Sequence, residues 1–159
     1  MNKDNNTNIL TREGYENFKA ELEHLKSVGR IEAAEAIRTA SEQGDLSENA
    51  EYDAAKEAQA HLERRIFELE DLLKNCEIVE IQNDGNITIG KTITLLKIND
   101  NTEYKIKLVG NNEAEPFSMK ISVASPIGKA VLGKEVGDII TVDAPNGITE
   151  FKITNVDLN

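Results

Sequence analysis

Asp45 and Glu48 stand three residues apart in the stretch GDLSENAEY, residues 44–52. Two carboxylates at that spacing have two uses. One is structural: they mimic a capping box, with Asp45 capping the helix that follows and Glu48 reaching back to its start. Acids in a first turn also complement the helix dipole. The other is chemical. Two nearby carboxylates form an oxygen-donor half-site for Mg²⁺, a cation that keeps several waters and shares its ligands with substrate phosphates. Half a site holds the metal weakly alone and well when a partner adds ligands. Spacing leaves both uses open. Of the neighbours, Ser47 suits a cap, and Asn49 suits either loop capping or the positioning of a water or a chain end. Tyr52 suits bracing of the loop or stacking on an unstacked base. Glu51 and Asp53 read as solvated first-turn acids.

The elements on either side present this stretch at a reversal. Thr11 is an expected N-cap. After it Tyr15, Phe18, Leu22, Leu25 and Val28 recur at helical spacing, and Ile31, Ala34, Ile37 and Ala40 continue the stripe with a drift in phase. The pattern predicts a helix from about Arg12 to Gln43, roughly 45–50 Å long at ~1.5 Å per residue, with Gly29 inside it and Gly44 as its C-terminal cap. A second helix is expected from near Ser47 to Lys74 or Asn75, with an inner stripe of Ala55, Ala58, Leu62, Ile66, Leu69 and Leu73. Matched lengths and a short connection predict an antiparallel hairpin over residues 9–76, Ala-rich towards its end. Residues 1–8 are Asn-rich and read as a flexible N-terminus.

After Cys76 the pattern changes to β-branched alternation: EIVEIQ, NITIGKTITLLKI, EYKIKLVG, MKISV, DIITV and ITEFKITNV. Asp84-Gly85, Asn99-Asp100-Asn101 and Asn146-Gly147 are turn signals. Ser125-Pro126 opens a short helix through Leu132, closed by Gly133. Residues 77–159 are therefore expected to form a small antiparallel sheet domain with one short helix, making the chain α+β.

Composition narrows the partners. The formal net charge is −11, and residues 1–80 carry −9 of it. Such a chain is repelled by phosphate backbones and is not a free-standing duplex binder. Aromatics are 4 % of the 159 residues with no Trp, so the core is aliphatic. Cys76 is the only cysteine, which excludes an internal disulfide and a Cys-based zinc site. It is expected buried or half-buried at the domain junction, and His24 and His61 are expected on the surface. No apolar run has the length of a signal peptide or membrane span, so a cytoplasmic protein is expected.

GDLSENAEYDAAKEAQ, the opening LTREGYENFKAELEHLK and the later ISVASPIGKAVLGKEVGD occur in that order across about residues 9–157. Together they closely resemble the bacterial Gre transcript cleavage factors, nearest the GreA type. The resemblance implies a coiled-coil hairpin and a C-terminal domain similar in fold to FK506-binding prolyl isomerases. It also implies a mechanism. The globular domain docks on RNA polymerase at the mouth of the secondary channel, through the segment containing Ser122, Ser125, Pro126 and Ile127. The hairpin enters the channel and brings Asp45 and Glu48 to the polymerase active site, where the 3′ end of a backtracked nascent RNA is extruded. There the two carboxylates help hold a second Mg²⁺ and its attacking water, and the polymerase cuts its own transcript by two-metal hydrolysis. By this resemblance the chain activates an enzyme without being one. Arg38, Lys56, Asn49 and Tyr52 are its expected RNA and tip contacts, and direct DNA contact is at most weak.

The chain departs from the family pattern at three places. Ser41 stands where Arg is usual, thinning the basic patch that holds RNA. Arg30-Ile31 replaces Arg-Pro, and Glu115 replaces Asp. Two other functions compete. A channel-binding inhibitor of RNA polymerase with the same fold would carry an altered acidic tip, and the intact DLSENAEY argues against it. A prolyl isomerase needs an aromatic-lined pocket, and the C-terminal half offers only Tyr104, Phe117 and Phe151.

Overall fold

The computed structural model describes residues 8–42 and 49–158. Gly44, Asp45, Ser47 and Glu48 lie outside the described residues. The described chain divides into two compact units, one of residues 15–42 with 49–75, the other of residues 8–14 with 76–158. The architecture is α+β.

In the helical unit, α1 (Arg12–His24), a π-helical turn (Leu25–Gly29) and α2 (Arg30–Glu42) follow without interruption, and α3 (Ala50–Lys74) returns. The return is antiparallel. Glu21 pairs with Arg65 at 2.8 Å, Arg30 with Glu63 at 2.9 Å, and Ala40 is bonded to Asn49, so numbers rise on one arm as they fall on the other. The ion pairs are exposed enough that each contributes little. The facing stripes hold the unit together. Ile66, Leu69 and Leu72 of α3 are buried, as is Ala40 of α2.

The stripes differ from expectation in phase. On the first arm Gly29 and Ala33 are half-buried, while Val28, Ile31 and Ala34 face solvent. The π turn is the cause. Leu25, Gly29, Ala33 and Ile37 span twelve residues in three turns, where an α-helix uses about eleven, and the longer i→i+5 closure absorbs the surplus residue. The Arg30 N–H bonds to the Leu25 carbonyl, completing that closure. Gly29 is also a close approach, since a Cβ there would stand 3.1 Å from Leu62 Cδ1. On α3, Gln59 takes the inner place expected for Ala58. Of the distal alanines expected to face one another, Ala33, Ala34, Ala36 and Ala40 against Ala50, Ala54, Ala55 and Ala58, only Ala33, Ala40 and Ala55 face inward.

In the other unit, β1 (Asn8–Thr11) pairs in parallel with β2 (Cys76–Val79), Asn8 opposite Cys76 and Thr11 opposite Val79. This pairing was not expected, because residues 9–11 were assigned to the start of the helical hairpin. A five-stranded sheet comprises β3 (Thr92–Lys97), β4 (Glu103–Val109), β5 (Lys120–Ser122), β6 (Ile139–Ala144) and β7 (Gly147–Asp157), in the order β5-β4-β3-β7-β6. It is antiparallel except for β4 and β5, which run parallel. That corrects the all-antiparallel expectation. The chain between them is a crossover through two 3₁₀ turns, Asn111–Glu113 and Pro116–Ser118, in place of a tight hairpin. Ile93, Leu95, Ile106, Leu108, Ile140 and Ile153 form the core on one face, with Val131 of α4 (Pro126–Val131) packed among them. The core is aliphatic apart from Phe151.

The segment NITIGKTITLLKI becomes strand only from Thr92. Gly90 takes φ +98°, a conformation that favours glycine. Lys91 beside it is 2 % exposed, and its Nζ bonds to Asp84 Oδ1 at 3.1 Å and to the Asn86 carbonyl. Alternation alone would have placed this lysine in water.

Candidate functional site

The two ends of the helical arms are joined by Asn49. Its Oδ1 accepts from the Tyr52 N–H at 2.9 Å, which caps α3. Its Nδ2 donates to the Ala40 carbonyl at 2.8 Å, which satisfies one of the orphan acceptors at the end of α2. The cap of α3 is thus Asn49, in the place expected for Asp45, and the described helix starts at Ala50 instead of near Ser47. Asn49 has the structural role of its two alternatives. Because it binds the last buried residue of α2, the segment 43–48, with Asp45 and Glu48, is the connection between two tied helix ends.

Three more expected contacts lie in the adjoining turns. Lys56 Nζ stands 5.9 Å from the centroid of the Tyr52 ring, a cation–π distance one turn along α3. Tyr52 is half-buried and Lys56 exposed, so the ring braces the helix and the cation faces solvent. Arg38, on α2, is exposed and lies 3.9 Å from Glu42, too loose a pair to neutralise it. Ser41 is exposed and donates to the Arg38 carbonyl at 2.8 Å. Among the described residues no cluster of three or more His, Cys, Asp or Glu side chains is placed to hold a metal ion.

The second expected site belongs to the globular unit. Ser125 caps α4, its Oγ accepting from the Gly128 N–H at 3.0 Å and donating to the Ser122 carbonyl at 2.7 Å. Pro126 follows at the first helical position. Ser122 Oγ donates to Asn111 Oδ1 and accepts from the Ala124 N–H. A Cβ on Gly128 would come within 2.0 Å of the Ser122 carbonyl, so the glycine is required by the approach of helix to strand. Ile127 packs against the core. Of the four expected docking residues Pro126 alone is exposed. The other three build the turn that presents it.

Glu113 was not anticipated. Its carboxylate accepts from the Thr11 N–H at 2.9 Å and from the Thr11 hydroxyl, while Thr11 Oγ1 accepts from the Gly14 N–H at 3.0 Å. The cap of α1 is therefore itself held by a residue about a hundred positions away, a contact with no local sequence signal. Lys107 adds a second tie, 2.6 Å from Glu13, and its ammonium holds the Glu13 carboxyl below the usual value. His24 and His61 are exposed and Cys76 is half-buried, as expected. Among the described residues no helix is long and apolar enough to cross a membrane.

Comparison with known proteins gives a consistent result over both units. Residues 8–78 match the family described as transcription elongation factor, N-terminal, and residues 82–158 match transcription elongation factor, GreA/GreB, C-term. The chain is 45 % identical over 148 residues to a transcription elongation factor GreA of Thermotoga neapolitana, covering 92 % of this chain and 95 % of that one. It is 44 % identical over 151 residues to the GreA of Acetivibrio thermocellus, with 93 % and 94 % covered. Among solved structures, GreA factor homolog 1 of Thermus thermophilus is 33 % identical over 94 % of this chain and 98 % of that one, with a TM-score of 0.43.

Proposed function

The chain belongs to the GreA/GreB family of transcription elongation factors, and we propose that it acts on RNA polymerase by stimulating cleavage of the 3′ end of backtracked nascent RNA. The observation that supports this is the tie made by Asn49, the fifth residue of DLSENAEY. Asn49 ties the ends of α2 and α3 together, and the two carboxylates belong to the connection between those ends. Such a connection is poorly suited to a core and well suited to delivery. The globular unit docks at the mouth of the polymerase's secondary channel through the Ser122–Ile127 turn, with Pro126 as its solvent-facing member. The helical unit carries Asp45 and Glu48 to the polymerase's own active site. There they complete the ligand set of a second Mg²⁺, which supplies an activated water when bound. Arg38 and Lys56, exposed on the two arms, offer charge to the extruded RNA, and Tyr52 offers the edge of a braced ring.

Asp45→Asn and Glu48→Gln each remove a charged ligand and keep side-chain shape. Each is expected to lower stimulated cleavage by at least about a hundredfold, in line with the loss of a group acting on the reacting atoms, while leaving polymerase binding and helix melting intact. Wild-type cleavage by either variant would exclude metal delivery. A collapse of melting together with cleavage would return the carboxylates to a capping role.

A further inference from the structure

Phe117 is the one aromatic of the globular unit that its core does not use. Phe151 is buried, and Tyr104 packs edge-on against it at 6.0 Å between centroids. Phe117 is fully exposed, at 102 %. The chain has only seven Phe and Tyr residues, and this one leaves about 200 Å² of apolar ring in water.

The ring is held there by a rigid turn. Glu115 and Lys120 exchange backbone hydrogen bonds of 2.9 and 3.2 Å, closing a loop of four residues. Within it the Ser118 N–H bonds to the Glu115 carbonyl and the Met119 N–H to the Pro116 carbonyl. Met119, itself partly exposed, takes a left-handed φ of 57°, and its carbonyl accepts from the Lys107 N–H at 2.9 Å. A side chain presented on a fixed turn loses little conformational freedom when a partner covers it.

The position of the turn indicates the partner. It leads directly into β5, the outermost strand of the sheet, and β5 leads into the Ser122–Ile127 turn to which docking is assigned above. Met119 and Ser122, the start of that turn, are three positions apart, about 10 Å along a strand. Exposed apolar side chains therefore flank the same sheet edge, with Phe117 and Met119 before β5 and Pro126 after it. We infer that Phe117 is an apolar anchor by which this chain seats its globular unit on RNA polymerase, filling a pocket of that protein surface. The inference rests on the docking assignment and extends the contact surface beyond the Ser122–Ile127 turn.

The test titrates the full chain against backtracked polymerase complexes, reading the half-saturating concentration and the maximal cleavage rate separately. Phe117→Ala should raise the half-saturating concentration about tenfold to a hundredfold, the range expected for losing burial of a Phe ring. The maximal rate should stay the same. Melting should not change, because the ring supports nothing in the free chain, and Phe117→Leu should recover most of the affinity. Pro126→Glu serves as the comparison, since an acid in a first helical turn keeps the fold. If Pro126→Glu weakens binding and Phe117→Ala does not, docking stands and the anchor is overturned. If neither weakens binding, the docking assignment fails along with it. If Phe117→Ala instead dissolves a self-association seen by sedimentation and leaves polymerase affinity unchanged, the ring contacts a second copy and the inference is overturned.

Discussion

Asn49 makes two bonds, one from each polar atom of its amide. Its carbonyl oxygen caps α3 and its amide nitrogen holds the end of α2. Asn49→Ala loses both and should cost about 1–2 kcal/mol, a fall in the helical unit's melting midpoint of about 4–8 °C per kcal/mol for a unit that small. Asn49→Asp keeps the acceptor and loses the donor, so it should fall between the two. Equal melting for all three would show that the tie contributes nothing. Lys91 and Asp84 form an unequal pair, the lysine buried and the aspartate partly exposed. Removing Asp84 strands a buried ammonium, whereas Lys91→Met keeps the buried stem and leaves a carboxylate that water can reach. Asp84→Asn should therefore lower the melting temperature more than Lys91→Met. The Lys91 ammonium, with the Asn86 N–H, holds the Asp84 carboxyl below its ordinary value of 3.8. A lowered carboxyl stabilises the fold above the unfolded value and stops doing so as pH falls through the lowered one. The gap between wild type and Asp84→Asn should thus be full near neutrality and close as pH drops below about 3.8. A gap that ignores pH would mean that the ion pair is not its source.

Among the elements, the π turn explains both what could be read from the sequence and what could not. Tyr15, Phe18, Leu22 and Leu25 announce the first arm correctly, and Ile66, Leu69 and Leu73 the second, because long apolar stripes are a local signal. Beyond Leu25 the stripe was expected through Val28, Ile31 and Ala34, which face solvent, whereas Ile37 and Ala40 face inward as expected. A surplus residue absorbed in one turn leaves composition untouched and only shifts phase. Deleting Val28, an exposed residue of that turn, should restore α-helix through Leu25–Arg30 and keep Ala33, Ile37 and Ala40 facing α3. Melting and cleavage should stay near wild type. Deleting Glu35, within regular α-helix, should rotate the last turns by ~100°, break the Asn49–Ala40 bond and cost at least about 2 kcal/mol. Equal effects of the two deletions, read by thermal melting, would deny the π turn its phase-setting role. The pairing of β1 with β2 and the grip of Glu113 on Thr11 were not legible, since both join residues far apart in sequence. The turn chemistry at Asn146-Gly147 and Ser125-Pro126 was legible because it is local. At the candidate site, Asp45 and Glu48 stood out by type and spacing, whereas the assignment of Asn49 to the cap required its two partners to be seen.

At the scale of the whole molecule, the distribution of charge fits the proposed role. Most of the net charge of −11 lies in residues 1–80, which contain the helical unit proposed to enter a channel beside RNA. A net-acidic arm does not hold RNA by bulk attraction. In the proposed role that work falls to a few placed cations, Arg38 and Lys56, and to the carboxylates of Asp45 and Glu48. The globular unit builds its own aliphatic core and presents Pro126 on a capped helix start. The central claim is that this chain makes a polymerase cut its own transcript, and one measurement meets it directly. Purified chain is added, with Mg²⁺, to a bacterial RNA polymerase elongation complex backtracked on end-labelled RNA, and the RNA is resolved by length. The account predicts short fragments released from the 3′ end at a rate that rises with the chain and saturates, followed by resumed extension when nucleotides are supplied. Full-length RNA persisting at saturating chain, with binding to the polymerase demonstrated in the same sample, would contradict it.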